Sequence, residues 1–441
     1  KEDPTKPERI ALQKILWVNL LKLKAIELSK MLSQTKDNEF NAWLNLSLLI
    51  KTTHPLDLHE TLLNLPISSL DYPTLKPLPG GLESIMRGAI KDQSVNVALL
   101  LPLSGRLAPA AEAIRDGFLE AYFHARNQYK ESEVHILDTT KYMNITEAFV
   151  AATELGAQYV VGPLEKKHVS SLEELDRLPL PTLALNRSVK DTSRNHADLN
   201  QLSLSPEDEA TQIADIAFAK GFRKSLIISP QDIWGKKMSS TLSKRWIALG
   251  GKILAKIELA EPASYSEAIE QILHLKQSQA RIARISKIIG SALNFELRRR
   301  EDIDVIFLLA GSSEQARATA PLLNFHFAGD LPQYATSKIY YGRIDERDRD
   351  LNGIKLVDMP ELLDSTHLTR ENNQSASNST SLRLHALGLD AFILQYFLNL
   401  HKTSNGLIFL GHSGLISIQN NGQIIREAMA AKFIDGKLVR D

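Results

Sequence analysis

The 441-residue chain contains no cysteine, which excludes disulfides, zinc–thiolate sites and thiol nucleophiles. That absence is compatible with an oxidising compartment without requiring one. There is no excess of either charge: Lys plus Arg and Asp plus Glu number 52 each. No strong net field therefore recruits nucleic acid or an anionic membrane. No apolar run approaches the roughly 18–20 residues of a membrane span, and no signal peptide is present. The 12 histidines are scattered, without H-E-x-x-H or another metal-ligand spacing. His59-Glu60 comes closest and has Leu63 where the second histidine would stand. What remains is ordinary for a soluble globular protein, 43% apolar and 24% charged. The length suffices for two or three domains. The chain opens on Lys rather than Met, which reads as a processed or trimmed start.

The organising stretch is Asn96 to Tyr122. Val97 to Leu101 is apolar without alternation, the pattern of a strand buried on both faces in a parallel sheet. Pro102 ends it, because proline has no N–H for the ladder. Ser104 and Gly105 form a tight turn, and the spacing of Ala111, Ile114, Phe118 and Tyr122 predicts a helix with one apolar stripe. In open α/β sheets ligands bind at the carboxyl ends of strands. This turn lacks both G-x-G-x-x-G and the P-loop pattern, so nothing marks it as a phosphate cradle.

Residues 1 to about 80 read as all-helical. Ile15, Leu16, Leu20, Leu23 and Met31 fall in one long helical pattern, and Phe40, Trp43, Leu44 and Leu48 in a second. Asp71 to Gly81 (DYPTLKPLPGG) is a linker or ordered strap, and a short helix over Leu82 to Ile90 is expected after it. Strands are then predicted at Val134–Leu137, Gln158–Val161 and Pro181–Leu185, with helices over Thr146–Leu155 and from Leu164 through Leu178. A second series starts at Pro206. It has a helix to Lys220, strands at Ser225–Ser229, Lys252–Ile257 and Asp304–Leu309, and helices at Trp234–Leu249 and Ser313–Phe325. Ser266 to Arg300 is helical with a break near Gly290. Two successive βαβ series predict two doubly wound parallel sheets. Later, Ile354–Met359 is strand-like, and Leu363–Ser381, rich in Ser, Thr, Asn and Gln, is expected to be a mobile loop. Leu382–Leu400 is helical. Asn421-Gly422 within Ser413–Ile425 signals a hairpin, and Lys432–Val439 a final strand or hairpin.

Several stretches resemble, in order, the LppC/LpoA family of outer-membrane lipoproteins. They are Leu101-Pro102-Leu103-Ser104-Gly105, Arg115 to Phe118, Gly162-Pro163-Leu164, Leu185-Asn186-Arg187, Asp232-Ile233-Trp234-Gly235, and Asp302 to Phe307. Ala42 to Leu46 resembles the tetratricopeptide-like helical domain that precedes the α/β part in this family. Each stretch alone is weak; their ordered combination, over roughly residues 40 to 441, is specific. The resemblance implies a type I periplasmic binding-protein fold with two lobes. It further implies attachment to the outer membrane through an N-terminal lipid, whose anchoring cysteine is not in this chain, and a class A penicillin-binding protein as partner. It also implies that late segments cross between the lobes.

The expected architecture is α/β: two doubly wound parallel-sheet lobes preceded by a short all-α, tetratricopeptide-like segment. The helical segment takes residues 1–80, with a linker near 71–93. Residues 94–441 form the bilobed part, with lobe 1 about 94–204 and lobe 2 about 205–355, each with late segments. Only about two helical hairpins fit before the linker, as in the end of a truncated array or a plain helical cap.

Ser104, Gly105, Gly162, Asn186, Asp232 and Gly311 each follow a predicted strand and are the candidate cleft-lining residues. Turns after strands select Ser, Gly, Asn and Asp for backbone reasons as well, and this reading is preferred. No catalytic residue, metal ligand or cofactor is assigned. Gly411-His412-Ser413-Gly414 falls short of G-x-S-x-G because position 415 is leucine, and it precedes a hairpin rather than a helix. Arg298-Arg299-Arg300 is followed by Glu301-Asp302, which cancels its field, so no nucleic-acid surface is read there. The functional expectation is a non-enzymatic periplasmic protein that binds and activates a class A penicillin-binding protein in peptidoglycan synthesis. The alternative is a periplasmic receptor for an amino acid or similar small molecule.

Overall fold

The computed structural model describes residues 7–86, 95–125, 132–189, 198–290, 297–363, 379–401, 407–418 and 423–441. Helices come first: α1 (Pro7–Lys22), α2 (Ala25–Gln34), α3 (Asn38–Thr52), α4 (Leu58–Leu63) and α5 (Leu82–Met86). The single long pattern expected through Met31 is broken in two, because Leu23 and Lys24 leave the helix. The Lys24 N–H instead donates to the Glu27 carboxylate at 2.7 Å, starting α2 afresh. Ile15 is exposed, while Trp17, Leu20 and Leu21 are buried. Asp37 caps α3 by accepting from Glu39 and Phe40 N–H at 2.9 and 3.1 Å. Trp43 then meets Trp17 with ring centroids 6.3 Å apart. The proline- and glycine-rich stretch 71–81 is pinned along these helices. Thr74 donates from N and Oγ1 to Glu39 at 3.0 and 2.6 Å and accepts from Trp43 Nε1 at 3.0 Å. Of the helix expected over Leu82–Ile90, positions 87–90 lie outside the described residues.

The first sheet is built from β1 (Val97–Leu101), β2 (Val134–Asp138), β3 (Tyr159–Val161), β4 (Thr182–Ala184) and β5 (Leu199–Gln201). Its order is β2-β1-β3-β4-β5, with every pairing parallel. All five residues of β1 are buried, as a strand covered on both faces requires. Helices α6 (Ala108–Ala125), α7 (Ile145–Glu154) and α8 (Lys166–Glu173) connect the strands. Ala111, Ile114 and Phe118 of α6 are fully buried. On the other side Ala98 and Leu100 pack with Phe149, Val160 and Leu172. β5 is a three-residue strand ending in Asn200 and Gln201, too short and polar to carry a periodic signal.

The second series follows with α9 (Pro206–Ala219), β6 (Lys224–Pro230), α10 (Ile233–Ala248), β7 (Lys252–Leu259), α11 (Tyr265–Ile272), α12 (Leu275–Ile289), β8 (Val305–Leu308), α13 (Ser313–Phe325), β9 (Gln333–Ala335) and β10 (Lys355–Asp358). Gly290 ends α12 at φ +72° as expected, but the helical stretch is also interrupted at His274, which is left-handed at φ +60°. Trp246 of α10 packs edge-on against Phe307 of β8, 5.1 Å between centroids, inside a core with Ile213, Ile227, Leu242 and Val357.

The chain continues through α14 (Pro360–Leu363), α15 (Ser379–His401), β11 (Ile408–Leu410), β12 (Leu415–Ile418), β13 (Ile424–Glu427), β14 (Met429–Ile434) and β15 (Lys437–Arg440). The loop expected over Leu363–Ser381 falls mostly on 364–378, and Asn421-Gly422 on 419–422; both stretches lie outside the described residues. β11, β12 and β13 form an antiparallel sheet. β14 joins the second sheet antiparallel to β10, giving the order β15-β14-β10-β9-β8-β6-β7. Two compact units result: Lys1–Leu204 with Thr380–Glu427, and Ser205–Ser379 with Ala428–Asp441.

Within the first unit α15 crosses α6 at glycine. A Cβ on Gly117 would sit 2.0 Å from the His385 carbonyl oxygen, and one on Gly388 2.1 Å from that of Ile114. Phe118 and Phe392 meet edge-to-face beside the crossing, 5.2 Å apart. Gly388→Ala should therefore force the helices apart and lower the unfolding free energy by about 1–3 kcal/mol, measured by urea denaturation. An unchanged midpoint would show that the close approach is not needed.

Candidate functional site

The strand-end residues are taken unit by unit. In the first unit, Pro102 stops β1 and the chain turns at Ser104. Ser104 Oγ donates to Asp138 Oδ2 at 2.7 Å, and Leu103 N–H donates to Oδ1 at 3.0 Å. Thr140 adds its N–H and hydroxyl to the same Oδ1 at 3.1 and 2.8 Å. Asp138 is buried at the end of β2, so one carboxylate ties the turn after β1 to the turn after β2. Burial pushes the Asp138 carboxyl up, but the donors from Ser104, Thr140 and Leu103 outweigh it and hold it below the usual carboxylate range.

Gly105 has φ +76° and opens the short turn into α6. Gly162, at the end of β3, has φ +111°, and a Cβ there would lie 2.1 Å from the Leu100 carbonyl oxygen. Only glycine lets this turn pass so close to β1. Asn186, beyond β4, donates from Nδ2 to the Leu164 carbonyl at 3.0 Å and accepts from Arg187 N–H at 3.0 Å. Since β1, β3 and β4 are adjacent in the sheet, Ser104, Gly105, Gly162 and Asn186 share its carboxyl edge.

In the second unit, Asp232 follows β6 and caps α10, accepting from Gly235 N–H at 2.6 Å. Gly311 follows β8, and its N–H donates to Gln315 Oε1 at 2.8 Å. Gln315 in turn donates to the Tyr265 hydroxyl at 3.0 Å. β6 and β8 are neighbours, so Asp232 and Gly311 share the carboxyl edge of the second sheet. Ser104 and Asn186 thus hold neighbouring turns, whereas Asp232 and Gly311 bond within the turns that carry them.

Two residues outside the sequence-based candidates organise these turns and their surroundings. Asp138 was legible only as an Asp-Thr-Thr turn after a strand. Asp390 is fully buried within α15, where it accepts from His412 and Ser413 N–H at 2.8 and 2.7 Å. An aspartate flanked by Leu389 and Ala391 in an apolar helix was its signal. Burial pushes its carboxyl up. The Gly411–Gly414 stretch is thus a structural turn: Ser413 is fully buried, and its carbonyl accepts from Arg426 Nη1 at 2.8 Å.

Two α/β units with helix-flanked, mostly parallel sheets, each assembled from separate stretches of chain, define the class as type I periplasmic-binding-protein-like. Residues 2–436 match the model of a family described as LppC putative lipoprotein, and the chain belongs to this family. Relatives are named penicillin-binding protein activator LpoA. That of Photobacterium profundum is 28% identical over 429 residues, 95% of this chain and 69% of the relative. That of Vibrio cholerae is 28% identical over 430 residues, covering 95% and 70%. Full-length LpoA from Haemophilus influenzae superposes with a TM-score of 0.62 at 20% identity, covering 99% of this chain and 76% of that one. Its C-domain, described as a regulator of PBP1A, gives 0.61 at 22% identity, covering 78% and 99%. A putative branched-chain amino acid ABC transporter protein from Chromobacterium violaceum gives 0.55 at 24%, covering 77% and 100%. At these identities the structural likeness is one of fold.

Asp138→Ala should cost on the order of 2–3 kcal/mol at neutral pH, because it strands several donors, and Ser104→Ala only about 1 kcal/mol. The folded-state pKa of Asp138 lies below its unfolded value. Its contribution is therefore complete above the ordinary carboxylate pKa and is lost as pH falls through the lowered folded value. Urea unfolding should show the gap between Asp138→Ala and the parent closing below about pH 4. A gap that persists unchanged in acid would remove the carboxylate from this role.

Proposed function

We propose that the chain is a non-enzymatic periplasmic regulator that binds and activates a class A penicillin-binding protein, tethered by lipid to the periplasmic side of the outer membrane. The observation that carries this is family membership across residues 2–436, together with relatives that bear the name penicillin-binding protein activator. The geometry supports a protein partner over a small solute. Ser104 serves Asp138, Asn186 serves the Leu164 carbonyl, Asp232 caps its own helix and Gly311 serves Gln315. The solute-receptor alternative has only the shared fold on its side, and a fold hosts many functions. The α/β part, about residues 94–441, is the part proposed to dock on the synthase. An interface of roughly 800 Å² per partner is within reach of one such unit.

The full chain should capture a class A penicillin-binding protein in a pull-down, raise its glycan-polymerising or crosslinking rate, and show no turnover of peptidoglycan or lipid-linked precursor alone. With Lys plus Arg and Asp plus Glu balanced at 52 each, moderate salt should slow association only mildly. Failure to capture the synthase, combined with a melting shift from an amino acid that Ser104→Ala or Asn186→Ala abolishes, would replace this reading by the solute receptor.

A further inference from the structure

Three side chains from two distant stretches of chain converge in the first unit. His54 and Asp57 sit on the turn between α3 and α4, and His124 lies in the last turn of α6. The two imidazoles lie with centroids 4.1 Å apart and planes tilted by 40°. His124 Nε2 lies 3.6 Å from Asp57 Oδ2, and one ligand atom from each of the three residues falls within 4.8 Å of the others. His412 stands beside them, its ring 6.0 Å from that of His54. Nothing in the activator reading uses this cluster.

We propose that His54, Asp57 and His124 form a binding site for a first-row divalent transition ion, Zn²⁺ being the probe of choice, with solvent in the open position. Two imidazoles and one carboxylate are a donor set that selects borderline ions such as Zn²⁺ over Mg²⁺ or Ca²⁺, which take oxygen ligands. The separations suit it. Tetrahedral bonds of about 2.0–2.1 Å bring ligand atoms to roughly 3.4 Å from one another, so the 3.6 Å contact is nearly in place and the others close by small rotations. A metal ligand must be a neutral imidazole. Loading costs the long 3.3 Å hydrogen bond that His54 Nδ1 accepts from Leu56 N–H, because a metal-bound neutral ring carries its proton on the other nitrogen. The consequence is structural: the ion clamps the turn between α3 and α4 onto α6, joining the helical segment to the first sheet's own helix.

The test uses the untagged full chain, stripped with a chelator and titrated with Zn²⁺ against a chromophoric competitor. One saturable equivalent is expected, with a rise in melting temperature that Mg²⁺ does not reproduce, and visible absorption bands on Co²⁺ substitution. His124→Gln and His54→Gln should each weaken binding by at least about tenfold, since even supporting residues of metal sites cost that much. His135→Gln, at a histidine paired with Glu133 outside the cluster, should leave it unchanged. His124 is exposed at a helix end, so its replacement tests the site even if His54→Gln fails to fold. Absence of a saturable equivalent, or undiminished affinity in His124→Gln, overturns the proposal.

Discussion

Gly117 and Gly388 let the backbones of α6 and α15 approach until a methyl group on either would overlap a carbonyl oxygen of the other helix. Much else in the first unit follows from that crossing. It seats α15 against the helix that follows β1, with Phe118 and Phe392 edge-to-face beside it. It brings the late sheet β11–β13 into the same unit as the N-terminal helices, where Lys22 pairs with Glu427 at 2.5 Å. Asp390, two residues beyond Gly388, then holds the 411–414 turn through two backbone N–H groups. Because the chain has returned to the first unit by this point, β14 and β15 are left to complete the second sheet. Within the first unit, the late segment is thus held to the early one by one close-packed helix pair.

At the carboxyl ends of the strands, the turns are held by their own polar side chains. In a solute receptor, strand-end hydroxyls, amides and N–H groups face a ligand. Here the corresponding atoms bond to their own or neighbouring turns, and the Asp138 carboxylate gathers four donors by itself. Such a network rigidifies each sheet edge and supports a scaffold. Buried polar networks of this kind are costly when partly broken. The likeness to a transporter-associated protein of the same fold and membership of the LppC family are therefore compatible.

What the sequence by itself determined is what local physics controls. An uninterrupted apolar run placed β1 and marked it as buried on both faces, and the three-and-four spacing placed α6; β6, β8, α10 and α13 also fall where the alternating pattern put them, α13 to the residue. Turn residues after strands located Ser104, Gly162, Asn186, Asp232 and Gly311, and their ordered motifs pointed to the family. Short strands β5 and β9 escaped, since Asn200, Gln201 and Gln333 deny them the short apolar run that marked the equally short β3 and β4. The break between α1 and α2 escaped too, because its apolar pattern continues across it. Only the tertiary structure decided what those residues touch. That Ser104 serves Asp138, that Gly162 must clear Leu100, and that Asp390 anchors a turn more than twenty residues on depend on which strands and helices become neighbours. The same holds for His54, Asp57 and His124: their spacing along the chain matches no ligand motif, and packing of a turn on the end of α6 alone brings them together. Proximity across long chain separations is set by the sum of many buried contacts, and no local pattern encodes it.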